Sequence, residues 1–95
     1  MYPLIIKPQA IAMARDAYQW YEEQREGLGE LFLASLDNGL KNIQSTPTAN
    51  AKVKKNYRQG RLHRFPYVIV YEIIRSEIIV LSIFHSRRNP RHKFT

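Results

Sequence analysis

The chain has 95 residues, no cysteine and a formal net charge of +7. This length predicts one domain, over residues 1–95, with a single core. The missing cysteines exclude disulfides, thiolate metal sites and cysteine nucleophiles. No run of about 18 apolar residues occurs, so neither a membrane-spanning helix nor a membrane partner is expected. The first ten residues lack the pattern of a secretory signal, and we expect a cytoplasmic protein.

The charges are segregated along the chain. Most acids lie within residues 16–37, and none lies within residues 38–71 or after Glu77. The acid-free central stretch carries Lys41, Lys52, Lys54, Lys55, Arg58, Arg61 and Arg64. A basic C-terminal half predicts a polyanionic partner, either nucleic acid or an acidic protein. The alternative is a soluble protein that is basic without such a partner.

The N-terminal half is predicted to form a strand and two helices. Residues 2–7 form an apolar run closed by Pro8, which is typical of an edge strand. The first helix has an apolar stripe of Ile11, Ala14, Tyr18 and Tyr21, widened by Ala10, Met13, Ala17 and Trp20. The segment "REGLG" ends it. The second helix keeps helical spacing at Leu28, Leu31, Phe32, Leu36, Leu40 and Ile43.

Two features delimit and weaken the second helix. Gly39 lies inside the pattern and costs about 1 kcal/mol relative to alanine. Pro47 stops the helix. The short break between the helices predicts an antiparallel helical hairpin.

Three strands are predicted in the C-terminal half. "YRQGRLHRF" is polar and mixed, which indicates an exposed strand whose alternation places Arg61 and His63 on one face and Arg64 on the other. "YVIVYEII" and "IIVLSIFH" are apolar on both faces, which marks central strands, linked by residues 75–77. The predicted fold is therefore α+β: an N-terminal strand, then an antiparallel helical hairpin packed on a small sheet with a C-terminal three-stranded antiparallel meander.

Histidines and arginines are the candidate chemical groups. The histidines lack ligand spacing, and no phosphate-binding glycine loop follows a strand, so neither a metal nor a cofactor is expected. Two clusters combine both residue types: Arg61, His63 and Arg64, and then His85, Arg87 and Arg88. Such clusters bind phosphates through arginine and exchange protons through histidine in a metal-free ribonuclease. A solvated basic rim is the alternative.

Three segments, "GLGELF", "RLHRFPYVIVYEI" and "IIVLSIFHSRRNP", resemble the RelE/ParE superfamily of toxins from bacterial type II toxin–antitoxin modules, which include plasmid stabilisation systems. The resemblance spans nearly the whole chain and is strongest over residues 61–90. It implies the fold just described. It also implies a cognate antitoxin that wraps the toxin, and an assembly that is a homodimer or a toxin–antitoxin hetero-oligomer.

The two branches of the superfamily imply different activities. RelE-like members cleave mRNA on the ribosome with basic residues of the sheet and a C-terminal tyrosine or histidine, whereas ParE-like members inhibit DNA gyrase. Val68 stands where the nuclease pattern has an arginine, and Phe94 falls near its terminal tyrosine. The resemblance therefore favours a gyrase inhibitor without chemistry of its own. The alternatives are a ribosome-dependent mRNA endoribonuclease and a basic nucleic-acid-binding domain without toxin activity.

The endoribonuclease and gyrase-inhibitor hypotheses predict two sets of site residues. The nuclease alternative would use Arg61, His63, His85 and Arg88. The residues expected to bind the target or the antitoxin are Arg64, Arg87, Arg88, Arg91, Lys93, Trp20 and Tyr21. Leu28 and Phe32 are further candidate anchors, for which a place in the core is the alternative.

Overall fold

The computed structural model describes residues 2–87. The elements in chain order are β1 (Leu4–Ile6), α1 (Pro8–Gln24), α2 (Leu28–Ser45), β2 (Lys52–Lys54), β3 (Tyr57–Arg61), β4 (Tyr67–Ile74) and β5 (Glu77–His85). One sheet has the strand order β1-β5-β4-β3-β2. β1 pairs in parallel with β5, and the other neighbours are antiparallel. The predicted α+β order, with its helical hairpin and its meander of β3, β4 and β5, is confirmed.

Both helices pack on the same face of the sheet. Their buried side chains are Ala10, Ala17, Tyr21, Phe32, Leu36 and Ile43, and they meet Ile69, Tyr71, Ile78, Val80 and Ile83. Val70 pairs with Ser82 while Tyr71 pairs with Val80, so Leu81 is an extra residue in β5. This bulge lets Val80 and Ile83 both face the helices.

The hairpin turn is held by a carboxylate of α1. Gly27 has a φ of 87°, in the left-handed region that glycine tolerates best. The backbone N–H groups of Gly27 and Gly29 donate to the carboxylate of Glu22, at 3.0 and 2.9 Å. Nearby, the hydroxyl of Tyr18 donates to Glu30, and this hydrogen bond raises the pKa of Tyr18 above its ordinary value.

Three residues of the predicted apolar stripes are exposed. Ile11 is 44% exposed, Trp20 is 40% exposed and Leu31 is 47% exposed. The buried line of α1 begins at Ala10, one position before Ile11, and continues through Ala17 and Tyr21. The prediction of a buried stripe was therefore wrong for Ile11, Trp20 and Leu31.

Strand β3 is shorter than predicted. It ends at Arg61, and the chain bends over residues 63–66. Arg64 has a φ of 75°, which no strand residue adopts. The predicted alternation therefore does not extend to His63 and Arg64.

The remaining strand boundaries also differ from the prediction. β2 was not predicted, because its three residues are all exposed and two are lysines. Glu77 pairs with Ile74 and belongs to β5. The connection is a two-residue turn, Arg75 and Ser76, with φ values of 51° and 67°. Positive φ at both positions is typical of the turns that match strand twist.

Candidate partner-binding site

The first candidate surface is a groove between α1 and β5. It encloses about 280 Å³ and is lined by Met13, Asp16, Ala17, Trp20, Tyr67, Ile83, Phe84 and His85. We call it the α1–β5 groove. β1 pairs with β5 only as far as Val80, so β5 continues past β1 along this groove. Trp20 is 40% exposed, and its ring stands edge-on to that of Tyr21 at 5.1 Å.

His85 is fixed at one end of the α1–β5 groove. Its ring lies 5.2 Å from that of Tyr67 in a T-shaped contact. Its Nδ1 accepts a hydrogen bond of 3.1 Å from the backbone N–H of Arg87. This contact occupies Nδ1 as an acceptor and fixes the orientation of the ring.

The second candidate surface lies between α2 and the bend after β3. It encloses about 460 Å³ and is lined by Leu28, Leu31, Ala34, Ser35, Asn38, His63, Arg64 and Phe65. We call it the α2–bend groove. The hydroxyl of Ser35 donates to the carbonyl of His63 at 2.5 Å and ties the two sides together. The groove combines apolar side chains with two basic ones.

The face of the sheet opposite the helices has an apolar centre. Val68, Val70 and Phe84 are buried there, with Met13, Tyr57 and Leu81 packed against them. Arg61 pairs with Val68, and Val68 pairs with Phe84. On the next two strands, the positions in line with Arg61 are therefore a valine and a phenylalanine.

Within residues 2–87, the nuclease candidates Arg61, His63 and His85 do not line one cavity. Arg61 is exposed on the edge of the apolar face, whereas His63 lines the α2–bend groove and His85 lines the α1–β5 groove. Arg88 lies outside the described residues.

The predicted binding residues divide into exposed and buried ones. Trp20 and Arg64 line the two grooves, and Arg87 is exposed. Tyr21 is 9% exposed and Phe32 is 0% exposed. They stack at 5.4 Å within a cluster that includes Phe65 and Tyr67, so burial places both in the core. Arg88, Arg91 and Lys93 lie outside the described residues, and the binding roles remain predictions.

Leu31 lines the α2–bend groove, although its helical spacing predicted a place in the core. Leu31, Phe32 and Leu33 are consecutive, and three consecutive helical positions spread over about 200° of the helix surface. A single buried face cannot hold all three. That run was the signal that at least one leucine would be exposed.

Neither a metal-binding cluster nor a membrane-spanning helix is found within residues 2–87. No group of three or more histidine, aspartate or glutamate residues is placed to hold a metal ion there. No helix in this part of the chain is long and apolar enough to cross a membrane.

Comparison with known proteins identifies the family. The model of the family described as the ParE toxin of the type II toxin–antitoxin system, parDE, matches residues 4–90. The chain belongs to the ParE toxin family. The resemblance inferred from the strand motifs is thereby confirmed, on its ParE-like side.

A solved structure shares the fold of this ParE-family chain. It is described as the chromosomal ParDE TA system from P. aeruginosa, and the chains are 21% identical with a TM-score of 0.74. The match covers 90% of this chain and 96% of that one. None of the curated proteins is a match.

Proposed function

We propose that this ParE-family toxin acts by inhibiting DNA gyrase. The observation that carries the proposal is the environment of Val68, which is 3% exposed in an apolar cluster with Val70 and Phe84. The nuclease branch of the superfamily has an arginine at that position. A valine cannot hold a phosphate, and Phe84 beside it cannot either.

The chemistry of RNA cleavage supports the same choice. Metal-free cleavage needs a base for the 2′-hydroxyl, cations for the phosphate and an acid for the leaving oxygen. His63 and His85 line different grooves, so we do not expect them to act together as an acid–base pair. Each missing acid–base group typically costs about 10²–10⁴-fold in rate. We therefore expect negligible mRNA cleavage.

The second part of the proposal is neutralisation by a cognate antitoxin. The exposed Trp20 in the α1–β5 groove supports it, because tryptophan is among the residues that most often dominate binding energy at interfaces. We propose that toxin and antitoxin form a hetero-oligomer in the cytoplasm, where gyrase acts, as part of a module of the plasmid-stabilisation type.

A supercoiling assay with purified gyrase tests the target. We expect the protein to inhibit supercoiling of relaxed plasmid, and the product of the small reading frame beside its gene to reverse the inhibition. Unchanged supercoiling at a large molar excess of the protein would exclude gyrase as the target.

Toeprinting on translating ribosomes tests the nuclease alternative. We expect no A-site cleavage from either the wild type or His85→Ala. Robust cleavage by the wild type that disappears in His85→Ala would instead identify a ribosome-dependent endoribonuclease with His85 as a catalytic residue. If the protein binds nucleic acid but neither inhibits gyrase nor cleaves mRNA, the remaining alternative is a basic nucleic-acid-binding domain without toxin activity.

A further inference from the structure

The two strands at one edge of the sheet form a basic hairpin, residues 52–61, which we call the β2–β3 ribbon. The strand order leaves β2 paired with β3 alone, and all three residues of β2 are exposed. Lys54 pairs with Tyr57, so a turn of two residues, Lys55 and Asn56, joins the strands. The ribbon therefore presents its lysines to solvent at the edge of the sheet farthest from β1.

Cations gather at the tip of the ribbon. The amine of Lys52 donates to the Oδ1 atom of Asn56 at 3.5 Å, so it reaches toward the turn that carries Lys55. Lys54 precedes that turn and is exposed. No acid lies within residues 38–71. In the part of the chain that the structure describes, neither Lys52 nor Lys55 takes part in an ion pair.

Lys55 occupies a backbone conformation that suits other residue types better. Its φ of 51° lies in the left-handed region, which glycine and asparagine adopt at a lower cost than lysine. Two-residue hairpin turns accordingly favour asparagine and glycine at positions with positive φ. A lysine at this position therefore destabilises the turn, and strained conformations of this kind cluster at functional sites.

The ribbon is attached firmly to the rest of the fold. The guanidinium group of Arg58 donates to the carbonyl oxygens of Thr48 and Asn50, in the loop that Tyr71 contacts from the core. Carbonyl groups carry no net charge, so Arg58 keeps its positive charge while it fixes the ribbon. A rigid support lowers the ordering cost when a ligand binds.

Protection of the sheet edge is the simplest alternative role for these lysines, because lysines on an edge strand discourage pairing with a second chain. This role accounts for Lys52 and Lys54 but not for Lys55, which lies in the turn. The opposite edge strand, β1, carries no charged residue. Edge protection alone therefore does not explain the ribbon.

We propose that the tip of the β2–β3 ribbon binds the phosphate backbone of duplex DNA through Lys52, Lys54 and Lys55. Lysines that neutralise phosphates release counterions, and this release drives binding without sequence preference. Single-stranded nucleic acid is bound largely by stacking on aromatic rings. The ring of Tyr57 is half-buried and packs against the apolar centre of the face opposite the helices, so the ribbon offers no such platform.

A protein partner suits the ribbon less well. Its exposed apolar side chain is Val53, whereas protein interfaces depend on large buried anchors such as tryptophan, tyrosine and arginine. The choice of duplex DNA among polyphosphates rests on the proposed function, because a toxin bound to gyrase lies beside the duplex on which gyrase acts. The ribbon then adds a contact with DNA to the contacts with the enzyme.

Fluorescence anisotropy of a short labelled DNA duplex of mixed sequence tests this contact. The full chain is titrated onto the duplex without gyrase over a range of salt concentrations. The variants are Lys55→Asn alone and a triple variant with Lys52→Gln, Lys54→Gln and Lys55→Asn. The control removes the same number of exposed cations from the start of the chain and from α1, by Lys7→Gln, Arg15→Gln and Arg25→Gln. It has the same net charge as the triple variant, so only the position of the charges differs.

We expect the triple variant to weaken binding by about tenfold or more at low salt, and the control to weaken it by less than about threefold. Each phosphate contact contributes about 0.9 to the slope of log K against log salt concentration, so the triple variant should lose about 2.7 of that slope. Lys55→Asn should lose about 0.9 of the slope and yet melt at a higher temperature, because asparagine suits the left-handed turn better. Weaker binding by a more stable variant excludes unfolding as the cause.

The outcomes separate this inference from the proposed function. If the wild type does not bind the duplex, or if the triple variant binds it like the control, the ribbon assignment is overturned whatever the supercoiling assay shows. If the wild type binds the duplex through the three lysines but does not inhibit gyrase, the proposed target fails and the DNA contact stands. Tighter, lysine-dependent binding to single-stranded RNA of the same sequence would overturn the choice of duplex DNA.

Discussion

At the scale of single residues, the hairpin turn depends on Glu22. Helix α2 begins after Gly27, which has no side chain to cap the helix. The carboxylate of Glu22 accepts from the N–H groups of Gly27 and Gly29 instead. A negative charge at a helix N-terminus is also stabilised by the helix dipole. One acid of α1 therefore performs the capping role that serine, threonine, aspartate or asparagine usually fills.

Replacing Gly29 with alanine should disturb this arrangement. An added Cβ would lie 2.8 Å from the Oε1 atom of Glu22 and 2.8 Å from the backbone oxygen of Tyr18. The backbone oxygen cannot move without shifting α1, so we expect Gly29→Ala to lower the free energy of unfolding by about 1–3 kcal/mol. Urea unfolding followed by circular dichroism measures the change.

Substitutions of Gly27 provide a control, because backbone strain and not a steric clash opposes them. An added Cβ there would meet nothing within 4 Å, so only the φ of 87° opposes substitution. Gly27→Asn should cost less than Gly27→Ala, because asparagine tolerates the left-handed region better. A cost for Gly29→Ala no larger than that of an exposed substitution such as Gln19→Ala would contradict the steric argument.

Trp20 provides a direct reporter of the α1–β5 groove. It is the only tryptophan in the chain, so its emission reports on one position. We expect its emission to shift to shorter wavelength when the antitoxin is added, because burial removes water from a ring that is 40% exposed. Trp20→Ala should weaken antitoxin binding by tenfold or more. An unchanged spectrum on saturation would place Trp20 outside the interface.

At the scale of elements, a buried hydroxyl joins the loop after α2 to the sheet. The hydroxyl of Tyr71, on β4, donates to the carbonyl of Pro47 at 2.7 Å and accepts from the side-chain amide of Asn50 at 3.2 Å. Tyr71 is fully buried. The loop that connects the helical layer to β2 is thus fixed from inside the core.

Removing that hydroxyl should loosen the loop. Tyr71→Phe leaves the buried carbonyl of Pro47 without this donor, which costs about 1–3 kcal/mol in the free energy of unfolding. Limited proteolysis should then cut faster within residues 46–51. Tyr2→Phe, at an exposed tyrosine, is the control and should change neither quantity. Equal cleavage rates in the two variants would show that the hydroxyl does not hold the loop.

The elements that could be predicted are those whose pattern is long and local. Both helices and the strands β4 and β5 repeat their apolar residues at helical or strand spacing over many positions. Strand β2 has three exposed residues and therefore no buried face that a sequence pattern could reveal. It is defined by its pairing with β3. Gly39 was predicted to destabilise α2. The packing explains why a glycine is present there, because an added Cβ would lie 2.9 Å from Cδ2 of Leu62.

The grooves were harder to predict than the elements. Trp20 and Arg64 were expected at a binding surface, but the α1–β5 groove exists because β1 stops pairing at Val80. The α2–bend groove exists because β3 ends at Arg61 and Arg64 adopts a left-handed conformation. Both depend on contacts between residues far apart in the chain, which periodicity does not report.

At the scale of the whole molecule, the charges are distributed to meet a partner. The acids are concentrated in the helical hairpin, whereas β2, β3 and the bend are basic. The ion pair Lys41–Asp37 has side chains that are 67% and 60% exposed, and such surface pairs contribute little to stability. The net charge of +7 is one reason to expect an acidic antitoxin surface.

Association with the antitoxin should consequently weaken with salt. Raising the ionic strength from about 0.05 M to about 0.5 M shortens the screening length from roughly 14 to roughly 4 Å. We expect the affinity to fall by about tenfold or more, mainly through a slower association rate, because steering acts on the encounter of the two proteins. Stopped-flow fluorescence of Trp20 separates the two rate constants. Trp20→Ala, followed by calorimetry, should have a lower affinity but the same salt dependence, because it removes apolar contact and no charge. An affinity that stays constant across this range would show that the net charge of +7 does not drive the association.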